Sequence, residues 1–185
     1  MISLKNTIKI LIALTVCTFI SSAGWAQTLT TKSARVNFFS STPIEDIKAA
    51  SAKGTVVFIP ASGDIAFQVP VKSFEFARGL MQEHFNENYM ESDKFPYAKF
   101  TGKISPSIDL SKDGEYPVIA NGMLLIHGVS KQRSIAGKLR VVHGKVQLLS
   151  SFDVTCADHN IKIPRIVMTK VAEVIKVNTD AILNP

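Results

Sequence analysis

TVVFIPASGDIAFQVPVKSF (55–74) decides the fold class. TVVFI is β-branched and aromatic, ASGD is a Gly-containing turn, and IAFQVPVKSF resumes in extended form, so the segment reads as a hairpin. In its second strand Ile65, Phe67, Val69 and Val71 fall on one face, and Ala66, Gln68, Pro70 and Lys72 on the other. Pro70 has no N–H for a ladder, so it must sit at an edge, a bulge or a ladder gap.

The same texture continues on both sides. Toward the N-terminus, ARVNFFSS (34–41) alternates in part, and IEDIKAA (44–50) reads as a short helical stretch with Glu45 and Asp46 in its first turn. Toward the C-terminus, RGLMQEHFNENYMES (78–92) breaks the β pattern. Met81, Phe85 and Tyr89 form one stripe at helical spacing, with Gln, Glu and Asn opposite, which predicts an amphipathic helix over an apolar surface that Pro96 ends. Strands resume at 97–104, and SPSIDLSKDGEYP (105–117) is a long polar turn. Further strands follow at 122–128, 134–142, 145–156 and 173–183, with His143-Gly144 as a tight turn. IVMTKVAE (166–173) reads as a short helical turn. Seven or eight short strands with one or two inserted helices, and no repeating strand–helix–strand unit, predict an all-β antiparallel barrel or sandwich.

The chain has 185 residues, 46% hydrophobic and 19% charged, which excludes disordered and collagen-like classes. Its start reads as a leader. Lys5 and Lys9 precede the apolar run Ile10–Ile20, and Gly24 and Ala26 give the small-x-small spacing of a cleavage site. The run is too short to cross a roughly 30 Å hydrocarbon layer as a helix. Residues 1–26 are therefore expected to be a cleaved export signal and 27–185 one domain. Val16 before Cys17 does not fit a lipid anchor. The leader carries two lysines and no acid, so the net charge falls from +6 to +4 beyond it. Basic residues are dispersed rather than clustered, which argues against a nucleic-acid partner. Cys156 is the one cysteine outside the leader. It is expected in a strand, as a small buried hydrophobe.

Motifs for catalysis are missing. There is no GxSxG, SxxK, HExxH or CxxC, and no two glycines have GxG spacing. His84, His127, His143 and His159 fall on a helix, a strand end, a turn and a loop, which predicts no metal site. Cys156, Asp158 and His159 are close in sequence, but neighbours in a strand face opposite ways, so a Cys–His pair is not implied.

Three segments carry a resemblance. HFNENYMESDKFPYAKFTG (84–102) combines a His-led helix, an aromatic-Pro pair and an A-x-F strand. GMLLIHGVSK (122–131) and FDVTCADHNIKIP (152–164) supply a strand with its turn and a late polar segment. Together they resemble the YceI-like family. The resemblance implies an exported, lipocalin-like antiparallel β-barrel with a polyisoprenoid-type lipid, such as a prenylated quinone, in its interior. It also implies the periplasm as destination. STPIEDIKAASAKG stands where family members commonly have a Gly- and Phe-rich second strand and hairpin.

A barrel of about eight strands must fill its inside or hold a guest. The expected ligand-facing residues are Phe38, Phe58, Phe67, Phe100, Leu124 and Ile126 on the earlier strands. Phe152, Ile175 and Val177 are expected on the later ones, with Leu139 as a further inward residue. Each competes with a reading as plain core. Phe85 and Tyr89 on the inserted helix are expected over the barrel mouth, where a Tyr hydroxyl could reach a quinone oxygen. The expected partner is a hydrophobic small molecule, with no cofactor beyond it and membrane contact only during lipid exchange. Whether two barrels pair as a homodimer stays open. Two competing functions are a packed barrel acting through its surface, and an enzyme using His84, Tyr89 or the Asp158–His159 pair.

Overall fold

The computed structural model describes residues 28–164 and 169–185. Nine strands are present in that part: β1 (Leu29–Ser41), β2 (Asp46–Ile59), β3 (Asp64–Pro70), β4 (Glu75–Phe76), β5 (Tyr97–Ser105), β6 (Gly114–Ile126), β7 (Val129–Val142), β8 (Lys145–Thr155) and β9 (Val174–Leu183). One short helix, α1 (Gly79–His84), widens into a π-helical turn over Phe85–Tyr89. The strands run in the order β1-β9-β8-β7-β6-β5-β3-β2, and pairing of β2 with β1 closes the ring. Every pairing is antiparallel, so this is a closed eight-stranded barrel, with β4 as a two-residue patch on β2. The proposed leader lies outside the described residues.

The hairpin at 55–74 forms as its sequence requires, with Phe58 opposite Ile65 and Thr55 opposite Gln68. Pro70 is the last residue of β3. Pairing with β2 has ended two residues earlier, so no ladder on that side asks for its missing N–H. Above that point the wall between β2 and β3 is filled by a 3₁₀ turn (Val71–Ser73) and β4, tied by a 2.7 Å bond between the Ser51 and Ser73 hydroxyls. Two hairpins, His127-Gly128 and His143-Gly144, have positive φ at both turn residues (49° and 73°, 48° and 75°). That is the backbone a two-residue turn between right-twisted strands needs.

The expected helix at 44–50 does not form. Asp46–Ile59 is one continuous strand, and Ile47, Ala49 and Ser51 alternate inward along it. Acidic residues near Pro43 favour a helical start, but seven residues are too few to hold a helix alone. Ten Cα pairings with β1, among them Phe38 with Ala49 and Ser40 with Ile47, decide the conformation instead. The amphipathic helix covers its whole stripe, Met81 to Tyr89, but stops short of residue 92. It ends at Tyr89, before Glu91 takes a positive φ of 44°. The long polar turn is shorter too, because Gly114–Pro117 already belong to β6. Cys156 is buried as expected, but it opens a 3₁₀ turn (Cys156–His159) rather than ending a strand. Of the helical turn expected at 166–173, residues 166–168 lie outside the described residues; Thr169 and Lys170 form a turn and 171–173 are not helical.

Candidate functional site

The barrel's two ends differ. At the closed end Leu29, Val56, Phe58, Leu139, Val141, Val146 and Leu183 are buried in one cluster. Above them opens a cavity of about 480 Å³, within the usual range for small-molecule sites. Register explains where it begins. One ring of paired residues, Tyr116, Leu139, Leu148 and Ala181, forms the floor. The next ring up is Val118, Gly137, Ser150, Thr179 and Val36, whose side chains are too small to meet across the barrel. The following ring runs through Phe152, Val177, Phe38, Ala49 and Phe76.

The mouth is covered by the helical segment. Phe38, Phe74, Phe76 and Phe85 form a cluster with ring centroids 5.0–5.8 Å apart, a spacing at which tilted and edge-on pairs are favourable. Phe85 sits on the π turn, so this cluster fastens the lid to β1 and β4. Leu80, Met81, Tyr89 and Met90 line the cavity from the same segment, and Ile161, Ile163 and Val171 line it as well. An Arg78–Glu45 ion pair joins the start of α1 to the β1–β2 turn. The lid's far end is held at the β6–β7 turn. There Glu91 Oε2 lies 2.8 Å from His127 Nε2, and the Phe95 ring packs edge-on against His127 at 4.7 Å.

Polar groups in this lining are few. The Ser150 and Thr179 hydroxyls are bonded to each other at 2.7 Å. Ser40 Oγ accepts from the Ala172 N–H at 2.9 Å. Burial pushes the Tyr89 phenol up from its ordinary value, and the neighbouring Cys156 adds to that. Burial also pushes the Cys156 thiol up, helped by the Glu173 carboxylate, which keeps it a thiol. His159 is fully buried. Its Nδ1 lies 3.1 Å from the Val129 carbonyl, Nε2 has no partner among the described residues, and desolvation holds its pKa below the ordinary value.

The sequence-predicted residues divide accordingly. Phe38, Phe67, Phe85, Tyr89, Phe100, Leu124, Ile126, Phe152, Ile175 and Val177 all line the cavity. Phe58 does not; it is 3% exposed and packs in the closed end, as does Leu139. Both are inward-facing, as alternation requires, but Leu139 lies in the floor and Phe58 below it, and alternation carries no information about depth. Residues missed by the sequence reading include Phe74, Phe76 and Ile47. The SFEF run at 73–76 carried the signal for the first two, as phenylalanines two apart just beyond the strand. Ile47 was hidden by the helical reading of its segment. Of the groups an enzyme would use, His84 and Tyr89 both line the cavity, His84 exposed at its mouth, whereas His159 is not among the lining residues. Among the described residues no cluster of His, Cys, Asp or Glu is arranged to hold a metal.

A closed antiparallel barrel with a lidded apolar cavity is the architecture of a lipocalin-like protein. The YceI-like domain model matches residues 25–183, and the chain belongs to that family. Solved structures agree at the level of fold. BcnA from Burkholderia cenocepacia is 15% identical, with a TM-score of 0.68 over 82% of this chain and 96% of its own. A polyisoprenoid binding domain from Saccharophagus degradans, implicated in plant cell wall breakdown, is 12% identical with a TM-score of 0.72, covering 86% and 98%. The YceI protein of Campylobacter jejuni is 19% identical with a TM-score of 0.56, covering 71% and 80%. No curated protein matches the chain.

Proposed function

We propose that this protein binds a polyisoprenoid-type lipid, such as a prenylated quinone, inside the barrel and carries or stores it outside the cytoplasm. The observation that carries the reading is the lidded cavity itself, lined by Phe, Ile, Leu, Val and Met side chains and closed below by a packed floor. Burying each CH₂ is worth about 0.8 kcal/mol, so a branched apolar chain gains affinity from such walls without needing polar contacts. The structurally similar polyisoprenoid binding domain of Saccharophagus degradans supports the same class of ligand. The export signal expected at 1–26 supports a role outside the cytoplasm, and the family resemblance supports the periplasm. The lining is dominated by apolar side chains, which favours binding over catalysis.

The test is mass spectrometry of an organic extract of the mature protein purified from its native host without detergent. A stoichiometric prenyl lipid is expected, and it would fix head group and chain length together. An empty extract, with no uptake of added prenylated quinones, would sink the reading.

A further inference from the structure

Deep in the cavity, the one polar feature is out of place among its neighbours. Ser150 on β8 and Thr179 on β9 are register partners in the small-residue ring just above the floor. Leu148 lies below them and Phe152 and Val177 above, all on the same inward face. Each hydroxyl has one O–H to donate and two lone pairs to accept with. Their 2.7 Å bond uses one O–H, whichever residue donates. The second O–H has no other protein partner among the described residues, and it opens on the cavity. An O–H held in an apolar chamber without an acceptor is destabilising. Gly137, across the ladder from Ser150, puts no side chain beside the pair, and a Cβ there would already lie 2.9 Å from the Leu149 carbonyl oxygen and 3.5 Å from Ser150 Cβ.

We infer that the Ser150–Thr179 pair is a polar subsite at the bottom of the cavity, and that it takes an acceptor oxygen, a carbonyl or hydroxyl, at the leading end of the bound lipid. The guest then enters polar end first, with its apolar tail running up past Phe152 and Phe38 to the lid. This rests on the lipid-binding reading and adds an orientation to it. The mouth offers a rival anchor in the Tyr89 hydroxyl, but there water can hydrate a head group, whereas at the floor the guest is the acceptor that a filled cavity leaves.

The test offers delipidated protein an equal mixture of a prenylated benzoquinone and squalene, a hydrocarbon with no oxygen. Mass spectrometry reads the retained ratio. Removing both hydroxyls together, Ser150→Ala with Thr179→Val, leaves no orphaned partner and keeps the shape of the ring. The quinone-to-squalene ratio is expected to fall about two- to tenfold in this variant, the range of one net hydrogen bond, while squalene retention is unchanged. Thr179→Val alone gives a second, milder variant, and thermal unfolding checks that each is folded. An unchanged ratio, or a fall seen in Tyr89→Phe instead, would overturn the orientation while leaving the lipid-binding reading intact. Wild-type protein that retains neither compound would overturn the reading beneath it.

Discussion

The floor and the chamber of this barrel are built from the same pattern and end in opposite states. Both present every second residue inward, and both are mostly apolar. In the floor, Leu139 and Leu148, with Phe58 and Leu183 packed beneath them, fill the barrel and exclude solvent. One ring higher, Gly137, Ser150 and Thr179 replace them, and the walls no longer touch. The inside of a small barrel is therefore not filled or empty as a whole. Side-chain volume decides it ring by ring, and three small residues in register are enough to begin a binding chamber.

If that contrast is right, substitutions at the two levels should behave differently. Leu139→Ala removes a side chain with 0% exposure from the floor, and about 2–5 kcal/mol of stability should be lost in urea unfolding. Phe152→Ala removes a larger side chain, yet it faces the cavity and has fewer neighbours to lose. Its stability loss is expected to be smaller than that of Leu139→Ala, while lipid retention falls sharply. A Phe152→Ala loss equal to or above that of Leu139→Ala would mean that the chamber wall is ordinary core. The converse change, Ser150→Leu, extends the floor by one ring. It should leave the unfolding midpoint near wild type or raise it, and cut retention of a prenylated quinone at least about tenfold, since several buried CH₂ groups lose their place. Unaltered retention would show that the guest does not reach that depth.

The sequence exposed this contrast only in part. Alternation in 55–74 and 173–183 named the inward faces, because a strand's period of two is a local property. Ring depth is a matter of register between strands, and no local pattern distinguishes Phe58, below the floor, from Phe67, above it. The segment 44–50, which contains the start of β2, reads as a helix for a related reason. Its acidic start and its alanines speak for a helix over a few residues, while the evidence for a strand lies in partners from β1. The mouth was legible as an amphipathic stripe, with Phe85 and Tyr89 placed over the cavity. The phenylalanine cluster that secures that stripe draws on β1, β4 and the π turn, which only the fold brings together.

The smallest effect concerns the wall beside the mouth. Pairing between β7 and β8 stops at Gly137 and Ser150, and higher up the two strands part. The gap is bridged by Arg133 Nη2 donating to the Asp153 carbonyl at 2.6 Å, and by buried His159 against the Val129 carbonyl. Among the described residues the floor has no group that titrates in mild acid, so its stability should be indifferent to it, but this seam should not be. Burial lowers the His159 pKa in the folded state, so below the ordinary value near 6.5 the unfolded chain takes up a proton that the folded chain resists. Its contribution is therefore full above about pH 7 and declines as pH falls through the unfolded value. The unfolding midpoint should drop between pH 7 and pH 5, and hydrogen exchange should quicken first at Val129 and Cys156–Asn160 while the floor amides stay protected. In His159→Gln, which keeps an N–H for the Val129 carbonyl but cannot titrate, that part of the pH dependence should vanish. A slope of the same size in the variant would place the acid-sensitive group elsewhere in the barrel.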